Sequence, residues 1–62
     1  MQTEKQTALK ERQAAEVLGV SIRTLQAWRY KRKGPDYLKL GGAVRYEPAA
    51  LEAYKMQNRV QS

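Results

Sequence analysis

Gly19-Val20-Ser21 is the corner on which this chain turns. It divides the most strongly patterned stretch, Glu11 to Trp28, ERQAAEVLGVSIRTLQAW. Ala14, Val17 and Leu18 recur at the 3-4 spacing of one apolar helix face. Gly19 follows at once, where a left-handed backbone ends a helix without steric penalty. Val20 seals the corner, and the hydroxyl of Ser21 can hold the amide of Thr24 as the cap of a second helix. Leu25 and Trp28, one turn apart, point back at the first helix, and the small Ala15 lets the two approach. Small residue, helix end, apolar corner, cap and apolar pair are the order a helix-turn-helix requires. The first helix is expected over residues 11–18, with Glu11 near the positive end of its dipole.

The second helix is expected over residues 22–32, stopped by a left-handed Gly34 and by Pro35, which lacks an amide. With Leu25 and Trp28 inward, Ser21, Ile22, Arg23, Gln26, Ala27 and Tyr30 lie toward the outside of its first turns. In a helix-turn-helix, side chains so placed meet base edges in the major groove of DNA. An arginine there can donate two bonds to guanine O6 and N7, and a glutamine can pair with adenine N6 and N7. Arg23 and Gln26 are the candidates. Thr24, Arg29, Lys31, Arg32 and Lys33 are assigned to phosphates, the four cations because they are too crowded to read bases.

The charge distribution points the same way. The net charge is +6 in 62 residues. Residues 1–22 balance Lys5, Lys10 and Arg12 against Glu4, Glu11 and Glu16, and residues 46–62 balance Lys55 and Arg59 against Glu47 and Glu52. All the excess lies in residues 23–45, where seven cations face Asp36 alone. A basic stripe of this kind attracts a polyanion.

Residues 37–46, YLKLGGAVRY, read as a β-hairpin. A two-residue turn at Gly41-Gly42 would set Leu38 opposite Arg45 and mix apolar with charged groups. A three-residue loop, Gly41-Gly42-Ala43, sets Leu40 opposite Val44, Leu38 opposite Tyr46 and Lys39 opposite Arg45. The three-residue register is the expectation, since register follows the buried face. It yields a wing whose basic face, Lys39 and Arg45, lies along the DNA backbone, with Gly41, Gly42 and Ala43 at its tip. A third helix should open at Glu47-Pro48, where the missing proline amide is harmless, and set Leu51 and Tyr54 over the first helix and the hairpin. The fold expected is therefore mainly α with a small β-hairpin, a winged helix-turn-helix of order α-α-β-β-α. Residues 1–8 are expected to form a disordered arm, residues 9–57 the DNA-binding domain and residues 58–62 a frayed tail.

Composition excludes several alternatives. The chain has neither Cys nor His, so disulfides and the usual zinc sites are out, and no metal or other cofactor is expected. No paired carboxylates in a pocket and no phosphate loop suggest catalysis, so an enzyme is not expected. No apolar run approaches the ~20 residues of a membrane span. RNA binding is disfavoured because the tyrosines are not grouped as a stacking platform.

The string AAEVLGVSIRTLQAW, the Gly34-Pro35 break and KLGGAVRYEPAALEAY together resemble the small winged-helix proteins of the excisionase and AlpA group, within the MerR-like superfamily. The likeness covers roughly residues 9–55, and VS-R-T-x-x-W with K-x-GG-x-x-R-Y is its most specific part. It implies a recognition helix at residues 21–30 and a wing at residues 39–45, set at the minor groove or its phosphates. It implies, too, a phage or mobile-element excisionase (a recombination directionality factor) that binds repeated sites cooperatively and bends DNA. The partners would be double-stranded DNA, an integrase on the same DNA and neighbouring copies of the chain, in a bacterial nucleoid or a phage-infected cell. The alternatives are a small AlpA- or MerR-like transcriptional regulator and the DNA-recognition part of a phage packaging or other adaptor protein. Two departures stand out. Ala43 follows the double glycine where relatives often have a cation, and Lys10 stands where they have a Ser or Thr cap, which should let the first helix fray. Residues 58–62 carry no heptads, so a monomer is expected in free solution.

Overall fold

The computed structural model describes residues 8–60. Expectations for the N-terminal arm before Ala8 and for residues 61–62 fall outside the described residues. Within them the order is α1 (Glu11–Leu18), α2 (Ile22–Tyr30), β1 (Leu38–Leu40), β2 (Ala43–Arg45) and α3 (Pro48–Gln57). This is the small, mainly helical winged helix-turn-helix fold.

The corner forms as its residues dictate. Gly19 adopts φ +73, and the amides of Gly19 and Val20 donate back to Glu16 O at 3.2 Å and Ala15 O at 3.0 Å. Those two bonds satisfy carbonyls that the end of α1 would leave bare. Ser21 then caps α2, its Oγ accepting from Thr24 N at 3.0 Å. At the start of α1, Lys10 supplies no cap oxygen, but Gln13 Oε1 reaches back to accept from Lys10 N at 3.0 Å. Half a capping box, with Leu9 paired to Tyr46 just before it, holds the turn that was expected to fray.

The end of α2 departs from expectation. The helix stops at Tyr30 rather than at Arg32, and the left-handed residue that closes it is Arg32 itself, at φ +59. Arg32 N donates to Arg29 O at 3.0 Å and Lys33 N to Trp28 O at 2.7 Å, the closure usually built on glycine. Gly34, also left-handed at φ +83, is used for a different purpose: its Cα lies against the Trp28 ring, where a Cβ would come within 3.0 Å of Cε3. The chain can turn under the indole there only because no side chain intervenes. Pro35 is buried immediately after.

The hairpin corrects the expected register. The pairs are Leu38 with Arg45, Lys39 with Val44 and Leu40 with Ala43, closed by the two-residue turn Gly41-Gly42 rather than by a three-residue loop. Gly41 has φ +64, the first central position of a turn whose twist matches a hairpin. The turn itself decides the register, because Val44 and Tyr46 share the inward face in either register and only the Gly41-Gly42 turn fixes what β1 sets opposite them. Tyr46 pairs with Leu9, Leu9 N to Tyr46 O at 2.7 Å and Tyr46 N to Leu9 O at 2.8 Å, and its side chain is buried to 1% exposure. The face carrying Tyr46 and Val44 is thus the inward one. Leu40, expected to be buried, is 57% exposed on the other face.

The core is compact and built from every element but β1. Ala14, Ala15, Leu25, Tyr46 and Leu51 are buried, with Leu9, Leu18, Val20, Trp28 and Val44 packed round them. Val17, expected on the core face of α1, is 46% exposed, because α1 faces its neighbours through Ala14, Ala15 and Leu18. Pro48 opens α3 as expected, Leu51 is fully buried, and Tyr54 tilts against Trp28 at 5.5 Å between ring centroids. Truncating a fully buried leucine such as Leu25 to alanine costs about 2–5 kcal/mol, a large share of what so small a core supplies.

Candidate nucleic-acid interface

Leu25 and Trp28 anchor α2 to the core, and this fixes which side chains it shows to solvent. Arg23, Ala27 and Tyr30, spaced i, i+4 and i+7, share one face. Ile22 is 42% exposed, Arg23 exposed and Tyr30 76% exposed, while Ala27 is half-buried beneath its longer neighbours. Arg23 makes no side-chain hydrogen bond or ion pair with another of the described residues, and its guanidinium is donor-only. Ser21 is exposed, but its hydroxyl is engaged as the cap and donates to Thr24 Oγ1 at 2.9 Å. Thr24 is accordingly held against the corner by both its amide and its hydroxyl.

Two half-buried residues of α2, one expected at bases and one at phosphates, reach across to α1. Arg29 Nε donates to Glu11 Oε2 at 2.8 Å, and Gln26 Nε2 donates to Glu11 Oε1 at 3.3 Å. The side chains of the ion pair are only 16% and 15% exposed. Arg29 also lies over the Tyr30 and Tyr37 rings, at 5.0 and 5.9 Å to their centroids. The hydrogen bond to Glu11 raises the pKa of the Arg29 guanidinium above its ordinary value. Burial, aided by the nearby charge of Glu11, pushes the Tyr46 hydroxyl up from its ordinary 10.0. Sequence reasoning missed Glu11 as a partner, having given it only a place on the helix dipole. Spacing within one helix cannot show a carboxylate that two residues of another helix share.

Downstream of α2, Lys31, Arg32 and Lys33 are exposed, with the left-handed backbone at Arg32 aiming the run. In the wing, directly paired residues share a face, so the observed register separates the two cations. Lys39 stands with Val44, and Arg45 stands with Leu38 on the opposite face. A single basic face of Lys39 and Arg45 does not exist. Lys39 is exposed, and Arg45 bends back so that Nη1 donates to Val44 O at 2.8 Å. Gly41 and Gly42 are exposed at the turn, and Ala43 is half-buried.

The surface also takes in residues that a segment-by-segment charge count discards. Lys10, Arg12 and Gln13 line a groove with Ile22, at the opening of α2. Glu11, one of the carboxylates that balanced them in that count, is engaged by Arg29, and among the described residues neither Lys10 nor Arg12 makes an ion pair. No three His, Cys, Asp or Glu side chains are grouped to hold a metal ion among the described residues, and none of the described helices is long and apolar enough to cross a membrane.

A helix-turn-helix that offers an exposed arginine on its second helix, followed by a basic run and a β-hairpin, is the architecture of a small DNA-binding domain. Comparison with known families agrees. The sequence profile of a helix-turn-helix domain family matches residues 8–59, and the chain belongs to that family. Membership supports DNA binding through the helix-turn-helix. No curated protein matches the chain.

Proposed function

We propose that this protein binds double-stranded DNA sequence-specifically, with α2 in the major groove. Arg23 reads a guanine, and Ile22, Ala27 and Tyr30 supply the apolar contacts beside it. Lys31, Arg32 and Lys33 meet phosphates, and the wing lies on the adjacent backbone or minor groove. The observation that carries this reading is the face of Arg23, Ala27 and Tyr30, with Arg23 and Tyr30 exposed, continuous with the exposed Lys31, Arg32 and Lys33, while Glu11, packed on α2, is neutralised from within by Arg29.

The biological role that fits is that of an excisionase-type accessory protein, several copies of which fill adjacent repeats and bend the duplex beside a recombinase. A nine-residue recognition helix reads only a few base pairs, too short an address among the ~10⁶–10⁹ competing sites of a genome. Repeated sites about one helical turn apart lengthen that address. Leu40, exposed beside the wing turn, offers an apolar contact between such copies. Selection from random duplexes, followed by a footprint titration on the natural DNA, tests the proposal. Several sites filled over a narrow concentration range support it, with binding lost by ~0.3 M salt. A single isolated site held at nanomolar affinity, or a tight dimer in free solution, contradicts the repeat-binding role.

A further inference from the structure

Glu11 sits between two side chains of α2, and chemistry fixes what each can show it. Arg29 is donor-only, and an ionised carboxylate is acceptor-only. The Gln26 amide can therefore meet Glu11 Oε1 only through Nε2, at 3.3 Å, and its own Oε1 is turned away from Glu11. Gln26 lies three residues after Arg23 and four before Tyr30, so it neighbours both on the surface of α2. An amide free to flip would present either end to that surface. This one is held in a single sense.

We infer that Glu11 is a positioning residue for base recognition: by fixing the sense of the Gln26 amide it makes α2 offer an acceptor, Gln26 Oε1, flanked by the second hydrogen of Nε2. Acceptor beside donor is the complement of adenine's N6–H and N7, and it discriminates against guanine, whose O6 and N7 are both acceptors. The inference rests on α2 being the groove-facing helix.

The ion pair supplies a sharp test. In Glu11→Gln, the new amide must turn its oxygen to the donor-only Arg29, which leaves its nitrogen facing Gln26. Gln26 then has to turn over, oxygen inward and nitrogen outward, and α2 offers two donors where it offered an acceptor. Selection from a randomised duplex library with wild-type protein and with Glu11→Gln should give sites that differ at one position. Adenine there should give way to guanine or thymine, with a shift in preference of about tenfold. Glu11→Ala, which lets Gln26 present either end, should accept adenine and guanine alike at that position, and circular dichroism confirms that each variant is folded. A site unchanged in both Glu11 variants, when Gln26→Ala flattens a position, would overturn the inference. So would a Gln26→Ala protein that keeps every preference, and in that case the groove-facing reading of α2 survives if Arg23→Ala still flattens its own position. A wild-type protein that selects no site would overturn both.

Discussion

Gly34 and Gly19 share a left-handed backbone but not an environment, and the pair separates two costs. At φ +83 and φ +73, either alanine would carry about 1–2 kcal/mol of left-handed strain. An alanine Cβ at Gly19 meets nothing within 4 Å, whereas at Gly34 it comes within 3.0 Å of Trp28 Cε3 and 3.1 Å of Trp28 Cβ. The indole cannot retreat, because Tyr54 packs on it at 5.5 Å. Overpacking of this kind costs a further ~1–3 kcal/mol. Gly34→Ala should thus lose about 2–5 kcal/mol and Gly19→Ala about 1–2 kcal/mol. A domain of this length holds roughly 3–9 kcal/mol in all, so Gly34→Ala should sit near the edge of folding. In thermal melts, the midpoint of Gly34→Ala should lie roughly 4–24 °C below that of Gly19→Ala. Equal midpoints would show that Trp28 does not seal the loop after α2, and the packing described above would be wrong.

Arg32→Gly removes a left-handed side chain at φ +59 and should stabilise the fold by about 0.5–1 kcal/mol. The same change should weaken DNA binding on all sequences, with a salt slope shallower by ~0.9; a fall in midpoint would refute the strain at Arg32. Burial raises the folded-state pKa of Tyr46 above its ordinary 10.0. Its contribution is therefore complete below pH 10 and is lost as pH climbs through the raised value. Urea titrations should show wild-type stability falling more steeply than that of Tyr46→Phe above pH 10, and parallel curves would contradict the assignment.

Local chemistry accounts for most of what could be read in advance. The ends of α1, the Ser21 cap, the inward Leu25 and Leu51 and the proline that opens α3 each depend on residues within a turn or two. The hairpin register was not legible from apolar patterning, because Val44 and Tyr46 face inward in either register and the left-handed Gly41 of the two-residue turn decides between them. The observed register leaves Leu40 exposed rather than opposite Val44. Val17 misled for a related reason: in a helix with two core alanines, the larger side chain looks like the buried one. At the interface, exposure of Arg23 and Tyr30 followed from helical spacing. The contact of Gln26 and Arg29 with Glu11 did not, since it needed a carboxylate from another helix.

The most direct test of sequence-specific binding is the affinity of wild-type protein and of Arg23→Ala for the selected duplex and for random DNA, measured side by side at fixed salt. Arg23→Ala should lose about 1–3 kcal/mol on the selected duplex, relax one base position and bind random DNA nearly as before. Equal losses on both duplexes would make Arg23 a phosphate contact and contradict the reading of bases by α2.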